Sequence, residues 1–241
     1  MEGIKSKSRV QEHGEVFTPD SIVNDMLDLV DKNLSKTDIK KYIDLTYLEP
    51  ACGNGNFLIR ILDRKMECVK RLPENEQELW LIHAVASIYG VDIQKDNVEE
   101  SIDRMMDVIK NGYTDVLELN NKDKLGWRTK GFNLNNTIEN IIKTVLKRNI
   151  QQGNTLSGRR WDKCTELDED LLITEYSWEG DNVKLREIAF NNLIKEGNIL
   201  YDSTEKEYEA VNYKDLLSLF STRANRRNRG AVTNSDFNEE F

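Results

Sequence analysis

The chain has 241 residues, which is enough for one α/β domain with a sizeable core and short appendages. Charged residues make up 32% of it and the net charge is −9, so any DNA contact must come from a local basic patch or from a partner. The three cysteines, Cys52, Cys68 and Cys164, lack the pairing of a metal site and favour a reducing compartment. No apolar leader opens the sequence and no run reaches membrane-spanning length, so we expect a soluble cytoplasmic protein with no metal and no membrane contact.

The N-terminal part predicts a mobile segment followed by a helix. Residues 1–12 are polar and are expected to be mobile, whereas residues 13–220 are expected to form the main domain. After Pro19, either Asp20 or Ser21 is suited to cap a helix. The apolar face of that helix would consist of Ile22, Val23, Met26, Leu27 and Val30.

A glycine turn between a strand and a helix comes next. The apolar residues of 42–48 predict a short strand, and a helical apolar period continues from Leu58 until Pro73 ends it. Gly53 and Gly55 can adopt positive φ and present bare backbone N–H groups to a ligand. A strand, a glycine turn and a helix are typical of a nucleotide-binding corner. A tight turn without a ligand stays open, since the spacing lacks the third glycine of the dinucleotide fingerprint.

A second buried-type strand, residues 88–93, ends in an acid. Asp92 at its carboxyl end could accept two hydrogen bonds from a ribose diol, or it could simply cap the strand end. The distance from Gly55 exceeds the ~20 residues of a nicotinamide fingerprint, which argues against NAD. An amphipathic helix is predicted to begin at Asp96 or Asn97.

Another amphipathic helix is predicted over residues 135–147, and it leads to a possible turn. Its apolar face carries Ile138, Ile141, Ile142 and Val145. The segment that follows contains Gly153 and Asn154, a dipeptide that a plain turn would also favour.

Four of these segments, in this order, resemble the motifs of S-adenosylmethionine (SAM)-dependent adenine-N6 DNA methyltransferases, a family that includes the modification subunits of restriction systems. Residues 14–19, with Phe-Thr-Pro at their end, are similar to motif X of that family. Residues 49–58, Glu-Pro-Ala-Cys-Gly-Asn-Gly-Asn-Phe-Leu, are similar to motif I. Residues 88–93 resemble motif II and residues 153–156 resemble motif III.

The resemblance implies a Rossmann-like SAM-dependent methyltransferase fold, with a mostly parallel sheet, helices on both faces and SAM across the strand ends. It places Asp92 on the ribose hydroxyls, Ile93 against the adenine ring, and the side-chain oxygen of Asn154 on the adenine amino group. The SAM-binding residues that it implies are Phe17, Thr18, Pro19, Glu49, Ala51, Cys52, Gly53, Gly55, Phe57, Asp92, Ile93 and Asn154.

The catalytic motif of that family, (D/N/S)-P-P-(Y/F/W), is absent as written, because all three prolines lie upstream of it. The nearest candidate is the segment 170–178, placed on the strand that carries this motif in the family. In that register Glu175 takes the position of the Asn or Asp, and Trp178 keeps the aromatic residue. A hairpin is predicted to follow, with its turn at residues 179–182.

These features predict adenine-N6 DNA methylation within a restriction–modification system or a phage or mobile-element modification system. The alternative is a catalytically inactive SAM-binding protein with a regulatory, scaffold or decoy role, and a methyltransferase acting on RNA or a small molecule ranks third. DNA would be contacted through a partner specificity subunit, or through Arg223–Arg229 in a mobile tail over residues 221–241 that turns acidic at its end.

Overall fold

The computed structural model describes residues 5–31, 38–111, 134–162, 165–194 and 204–220. These residues form an α/β structure with a mixed five-stranded sheet and a smaller four-stranded sheet. The helices are α1 (Lys7–His13), α2 (Asp20–Asp31), α3 (Ile39–Asp44), α4 (Asn56–Val69), α5 (Glu74–Ala86), α6 (Lys95–Asn111), α7 (Asn136–Asn149) and α8 (Phe190–Ile194). The strands are β1 (Tyr47–Glu49), β2 (Ile88–Asp92), β3 (Ile150–Asn154), β4 (Arg159–Asp162), β5 (Thr165–Asp170), β6 (Leu172–Glu179), β7 (Asn182–Ala189), β8 (Thr204–Glu207) and β9 (Val211–Asn212).

The larger sheet has the order β1-β2-β3-β4-β5, and its first three strands are parallel. Strands β4 and β5 extend it as antiparallel neighbours of β3. Parallel strands need crossover connections, and here α4 and α5 connect β1 to β2 while α6 and α7 lie between β2 and β3. The carboxyl ends of β1, β2 and β3 therefore meet at one edge, which is where this type of sheet binds ligands.

The helices predicted around residues 20–31, 56–69 and 136–149 are confirmed, as is the strand that ends at Asp92. The strand predicted over residues 42–48 is wrong for its first half. That part belongs to α3, where the Asp38 side chain caps the helix by accepting from the Lys40 backbone N–H, and β1 begins only at Tyr47.

The segment 170–178 does not lie in the larger sheet. Residues 172–179 form β6, which pairs antiparallel with β7 in the smaller sheet across the turn at Gly180. The predicted hairpin is therefore confirmed, and it belongs to the smaller antiparallel sheet rather than to the parallel part of the larger sheet. The physical reason is local, because β7 alternates in burial and is the immediate antiparallel partner of β6.

The described part of the N-terminus is helical where the sequence predicts a mobile segment. Ser6 caps α1 by accepting from the Arg9 backbone N–H, and Gly14 ends the helix with a φ of 66°. Residues 221–241, including the arginines of the predicted tail, lie outside the described residues. Within the described ranges, every helix is too short or too polar to span a lipid bilayer.

Lys65 lies in α4, the helix that follows the glycine turn, and it contacts the end of α3 and the chain that leads to β1. Its side chain is fully buried, and its ammonium donates to the backbone oxygens of Ile43, at 2.8 Å, and Leu45, and to the Ser87 hydroxyl. Buried carbonyl groups need such donors, because they have lost their hydration. The lysine thus supplies donors to polar groups that are buried beside apolar side chains.

We predict that Lys65→Met lowers the free energy of unfolding by about 2–4 kcal/mol, since it leaves buried acceptors without a donor. Denaturant unfolding measures the change. The control is Lys41→Met on the exposed face of α3, for which we expect a change within about 0.5 kcal/mol. Equal effects of the two substitutions would contradict a structural role for the Lys65 ammonium.

Candidate functional site

A cavity of about 530 Å³ opens at the carboxyl ends of β1, β2 and β3. This volume is typical of sites for small molecules. The cavity is lined by four segments that are distant in sequence: residues 14–18, the glycine turn after β1, the end of β2, and residues 153–156. The fold therefore brings together all four segments that carry the motif resemblance.

The glycine turn is held in a conformation that only glycine adopts easily. Gly53 has a φ of 52° and Gly55 a φ of 90°. A Cβ on Gly55 would lie 2.8 Å from the Ser101 hydroxyl oxygen, so α6 approaches the turn too closely for any side chain. The helix α4 then begins without a side-chain cap, and its first residues, Asn56 and Phe57, line the cavity. Its free backbone N–H groups and its positive dipole end suit an anionic group there.

Asp92 braces the turn and also lines the cavity. One carboxylate oxygen accepts from the Gly53 backbone N–H at 2.9 Å, and the other accepts from the Gln94 backbone N–H at 2.8 Å. The amide of Asn97 adds a third bond at 3.2 Å. A carboxylate has about four acceptor positions, so one is left for a ligand. The sequence predicts this acid at the site but not its role in holding the turn.

Residues 14–18 lie across the turn and are fixed there by side chains from three helices. Arg9 of α1 donates to Glu15 through its Nε at 2.7 Å, and Asn97 of α6 donates to the same Glu15 oxygen at 3.2 Å. At the other end, the Asn56 amide donates to the Thr18 backbone oxygen at 2.9 Å. These long-range bonds hold the Phe17 segment against the cavity.

Two acceptors in this network have no hydrogen-bond partner. The side chains of Glu15 and Asn97 are 7% and 1% exposed, and both residues line the cavity. Glu15 Oε1 and Asn97 Oδ1 are buried without a partner among the described residues. Such acceptors are costly unless something donates to them, which points to a ligand that carries hydroxyl or ammonium groups. Sequence analysis missed both residues, because a single buried polar residue leaves no periodic signal.

Burial changes the pKa of two further residues near the turn, Glu49 and Cys52. Burial raises the pKa of the Glu49 carboxyl, which has only one weak bond, from the Ala51 backbone N–H at 3.4 Å. Burial also raises the pKa of the Cys52 thiol. A thiol of this kind stays protonated, so Cys52 contributes shape at the cavity rather than a nucleophile.

Asn154 lines the cavity as the last residue of β3. Its side-chain oxygen accepts from the Leu156 backbone N–H at 3.0 Å, and its nitrogen donates to Glu166 at 3.0 Å. The amide oxygen has a second lone pair that stays open to a donor. The neighbouring Leu156 is 96% exposed, so this rim of the cavity presents an uncovered apolar side chain.

The structure brings most of the predicted SAM-binding residues to the cavity, but not the predicted catalytic pair. Gly55 and Pro19 do not line it and instead set the path of the adjacent backbone. The residues that do line it are Phe17, Thr18, Glu49, Ala51, Cys52, Gly53, Phe57, Asp92, Ile93 and Asn154.

Glu175 and Trp178, the predicted catalytic pair, make their described contacts away from the cavity. Glu175 forms an ion pair with Arg186, its cross-strand neighbour on β7. The Trp178 ring stacks on His83 with the ring centroids 3.9 Å apart, and His83 in turn bonds Asp44 at 2.7 Å. Cross-strand pairing and aromatic packing determine both positions, and neither side chain lines the cavity.

Comparison with known proteins assigns the chain to no family. No protein-family model matches the chain, and no curated protein matches it either.

We predict that Gly53→Ala disturbs the Phe17 segment. A Cβ at Gly53 would lie 3.0 Å from the Phe17 ring, whereas one at Gly180, at a similar φ of 58°, would meet nothing within 4 Å. Both alanines carry about 1–2 kcal/mol of left-handed strain, so any further loss in Gly53→Ala comes from the clash. Denaturant unfolding gives the two stabilities, and hydrogen exchange of residues 14–18 shows whether the segment loosens. Equal losses with unchanged exchange would contradict this contact.

Proposed function

We propose that this chain binds SAM as the cofactor-binding part of an adenine-N6 DNA methyltransferase with a Rossmann-like fold. The setting would be the cytoplasm, within a restriction–modification system or a phage or mobile-element modification system. One observation carries the proposal: segments that resemble motifs X, I, II and III converge on a single cavity at the ends of three parallel strands.

The side chains around the cavity suit the parts of SAM. Asp92, with an acceptor position left, would bind the ribose hydroxyls, and the unpartnered oxygens of Glu15 and Asn97 add acceptors within the same network. Glu49 offers a carboxylate with one weak partner, which suits the ammonium of the methionine part. The uncapped start of α4 suits its carboxylate.

The adenine part would lie toward β3. Ile93 presents an apolar side chain to the cavity, and Asn154 retains an open lone pair for an amino group. The residues present therefore fit a nucleoside with a charged tail better than they fit a purely apolar ligand. The cavity lining combines apolar side chains, such as Phe17 and Ile93, with acceptors, such as Asp92 and Asn154.

Bound SAM supplies an electrophilic methyl group on a sulfonium. Transfer of that methyl group to the amino nitrogen of a target adenine would release S-adenosylhomocysteine and one proton. The chain's part in this is to orient the cofactor and exclude water, since positioning contributes much of such a rate. Acceptors that hold the amino group, and an aromatic face for a flipped base, are also needed.

The alternative is a SAM-binding regulatory, scaffold or decoy protein without transferase activity. The observation that favours it is the placement of Glu175 and Trp178, since both are engaged within the smaller sheet. Both readings require SAM binding, so the two differ only in turnover.

We predict that Asp92→Ala weakens SAM binding by about 1.5–3 kcal/mol, since the charge-assisted hydrogen bond at its open acceptor position is lost. Titration calorimetry measures the affinity. Asp103→Ala, at an exposed position of α6, is the control and should bind SAM as the unaltered chain does. Equal affinities for both variants would remove Asp92 from the cofactor site, and a failure of the unaltered chain to bind SAM would overturn the proposed function.

We predict that the isolated chain transfers methyl groups to unmethylated DNA slowly or not at all, and that Glu175→Ala leaves both SAM binding and any transfer unchanged. The reason is that Glu175 is held by Arg186 away from the cavity lining. The measurement is incorporation from labelled SAM, with and without host-cell extract and with RNA as a second substrate. Loss of transfer in Glu175→Ala with SAM binding intact would show that β6 does act in catalysis.

A further inference from the structure

Asn97 joins two carboxylates that line the cavity. Its side-chain nitrogen donates to Glu15 Oε2 at 3.2 Å and to Asp92 Oδ1 at 3.2 Å. Because both carboxylates are bonded to the same nitrogen, they lie close enough to contact neighbouring groups of one small ligand. All three residues line the cavity, so the bridge from Asp92 through Asn97 to Glu15 is one acceptor surface built from three separate segments of the chain.

This bridge also determines the orientation of the Asn97 amide. In the opposite orientation the amide oxygen would face two carboxylate oxygens, and three acceptors would meet without a donor. The nitrogen therefore faces Glu15 and Asp92, and the oxygen Oδ1 faces away from them. Asn97 is 1% exposed, and this oxygen accepts no hydrogen bond from the described residues. The amide cannot turn to relieve it without breaking the bridge.

Asp92 alone has too few open acceptor positions for a ribose. Its two oxygens already accept from the backbone N–H groups of Gly53 and Gln94 and from the Asn97 amide. About one of its four acceptor positions remains, whereas a ribose carries two neighbouring hydroxyl groups that each donate one hydrogen bond. The other hydroxyl therefore needs a second acceptor.

Glu15 offers that second acceptor. Its Oε2 accepts from Arg9 Nε at 2.7 Å and from Asn97, so the carboxylate is held from two sides. Its Oε1 has no donor among the described residues, and the side chain is 7% exposed. A buried carboxylate oxygen without a donor is less favourable than a buried amide oxygen in the same state, because it has lost its hydration and keeps its charge. A ligand hydroxyl that donates to it would stabilise this wall.

An ammonium group suits this position less well than a hydroxyl does. The Arg9 guanidinium already pairs with Glu15, and a second cation there would meet that guanidinium as a like charge. A hydroxyl has no charge and can donate to a single oxygen. The ammonium of the ligand is better placed at Glu49, whose carboxylate accepts one weak bond, from the Ala51 backbone N–H at 3.4 Å.

We propose that Glu15 and Asp92 together bind the two ribose hydroxyls of the ligand, one hydroxyl on each carboxylate, and that Glu15 thereby selects a ribonucleoside over a deoxyribonucleoside. The inference rests on the proposed function, because SAM carries such a ribose. Arg9 is a positioning residue in this arrangement, since it orients Glu15 and does not itself line the cavity.

The same contacts couple the ligand to helix α1, which ion pairs attach to α6. Lys5 pairs with Asp96 at 3.0 Å and with Glu100 at 2.7 Å, and Arg9 pairs with Asp96. The Arg9 bond lowers the pKa of Asp96 to about 2, so this pair is ionised at neutral pH. Ion pairs at a surface hold a helix weakly. A ligand hydroxyl on Glu15 should therefore add to the order of α1 through Arg9.

The test compares S-adenosylhomocysteine with its 2′-deoxy and 3′-deoxy derivatives, and titrates SAM, adenosine and the two deoxyadenosines in parallel. Calorimetry measures each affinity for the full chain and for Glu15→Gln and Glu99→Gln. Glu15→Gln keeps the size of the side chain and one oxygen for Arg9, but it replaces the other oxygen by an amide NH₂ group. Glu99→Gln is the matched control on α6, where the side chain is 63% exposed. Denaturant unfolding verifies that both variants fold.

We expect that removal of either hydroxyl weakens binding to the unaltered chain about tenfold or more, because a charge-assisted hydrogen bond is lost. In Glu15→Gln, removal of one of the two hydroxyls should weaken binding only about threefold or less, since that bond has already lost its charged acceptor. Glu99→Gln should behave as the unaltered chain does. Equal effects of each hydroxyl removal in Glu15→Gln and in the unaltered chain overturn the proposal.

Hydrogen exchange of the unaltered chain gives a second measurement that needs no variant. S-adenosylhomocysteine should slow exchange in residues 5–15, and the deoxy derivative that lacks the hydroxyl bound by Glu15 should slow it less than the other derivative does. Equal protection of this segment by all three ligands, each at saturation, overturns the proposal.

The parallel titrations separate this inference from the proposed function. If SAM binds and the effects of hydroxyl removal are independent of Glu15, the inference alone fails. If SAM and S-adenosylhomocysteine do not bind, but adenosine binds with a Glu15-dependent preference over a deoxyadenosine, the proposed function fails and the selection of a ribonucleoside stands. Failure of every one of these ligands to bind overturns both.

Discussion

The carboxylate of Asp92 is the contact on which the candidate site depends. It lies at the end of β2 and accepts from the Gly53 backbone N–H at 2.9 Å, which ties the second parallel strand to the turn that leaves the first. The Cys52 backbone N–H adds a parallel bond to the Val91 oxygen at 2.9 Å. Together, these two bonds hold the start of the glycine turn against the end of β2, beside the cavity.

The wall of the cavity depends on a second set of contacts between distant parts of the chain. Helix α1 reaches α6 through Arg9 and Asp96, and Glu15 joins both helices. Glu15 and Asn97 each retain one buried oxygen that accepts no hydrogen bond from the described residues, so this wall has two acceptors without a donor. A ligand that donates hydrogen bonds would stabilise it, so binding and ordering of this wall are coupled.

The smaller sheet packs on helices of the larger one and contributes no residue to the cavity lining. The stacking of Trp178 on His83 and the pair between Glu187 and Arg148 attach this sheet to α5 and α7. Tyr89 of β2 reaches it as well, donating to the Thr174 backbone oxygen at 2.7 Å. These contacts cover the helices that lead into β2 and β3, and among the described residues the outer edge of β1 has no strand partner.

The local patterns of the sequence were sufficient for the parts of the site that lie within one strand–turn–helix unit. Gly53 and Gly55 can adopt the positive φ that the turn requires, so the turn could be predicted from these residues. The apolar run before Asp92 gives the length of the strand, so the place of the acid at its end could be predicted as well. The same holds for the hairpin around Gly180, since alternating burial and a glycine turn are properties of adjacent residues.

Only the tertiary structure decided which of these units meet. Glu15 and Asn97 are 82 residues apart, and their contact leaves no trace in local periodicity. The position of Glu175 and Trp178 was decided in the same way, because the hairpin that carries them packs against α5 and α7 and lies outside the larger sheet. Sequence by itself therefore determined the glycine turn, the acid and the hairpin, whose conformations depend on neighbouring residues. The cavity wall and the bridge from Asp92 through Asn97 to Glu15 depend on packing between distant elements, so the tertiary structure alone decided them.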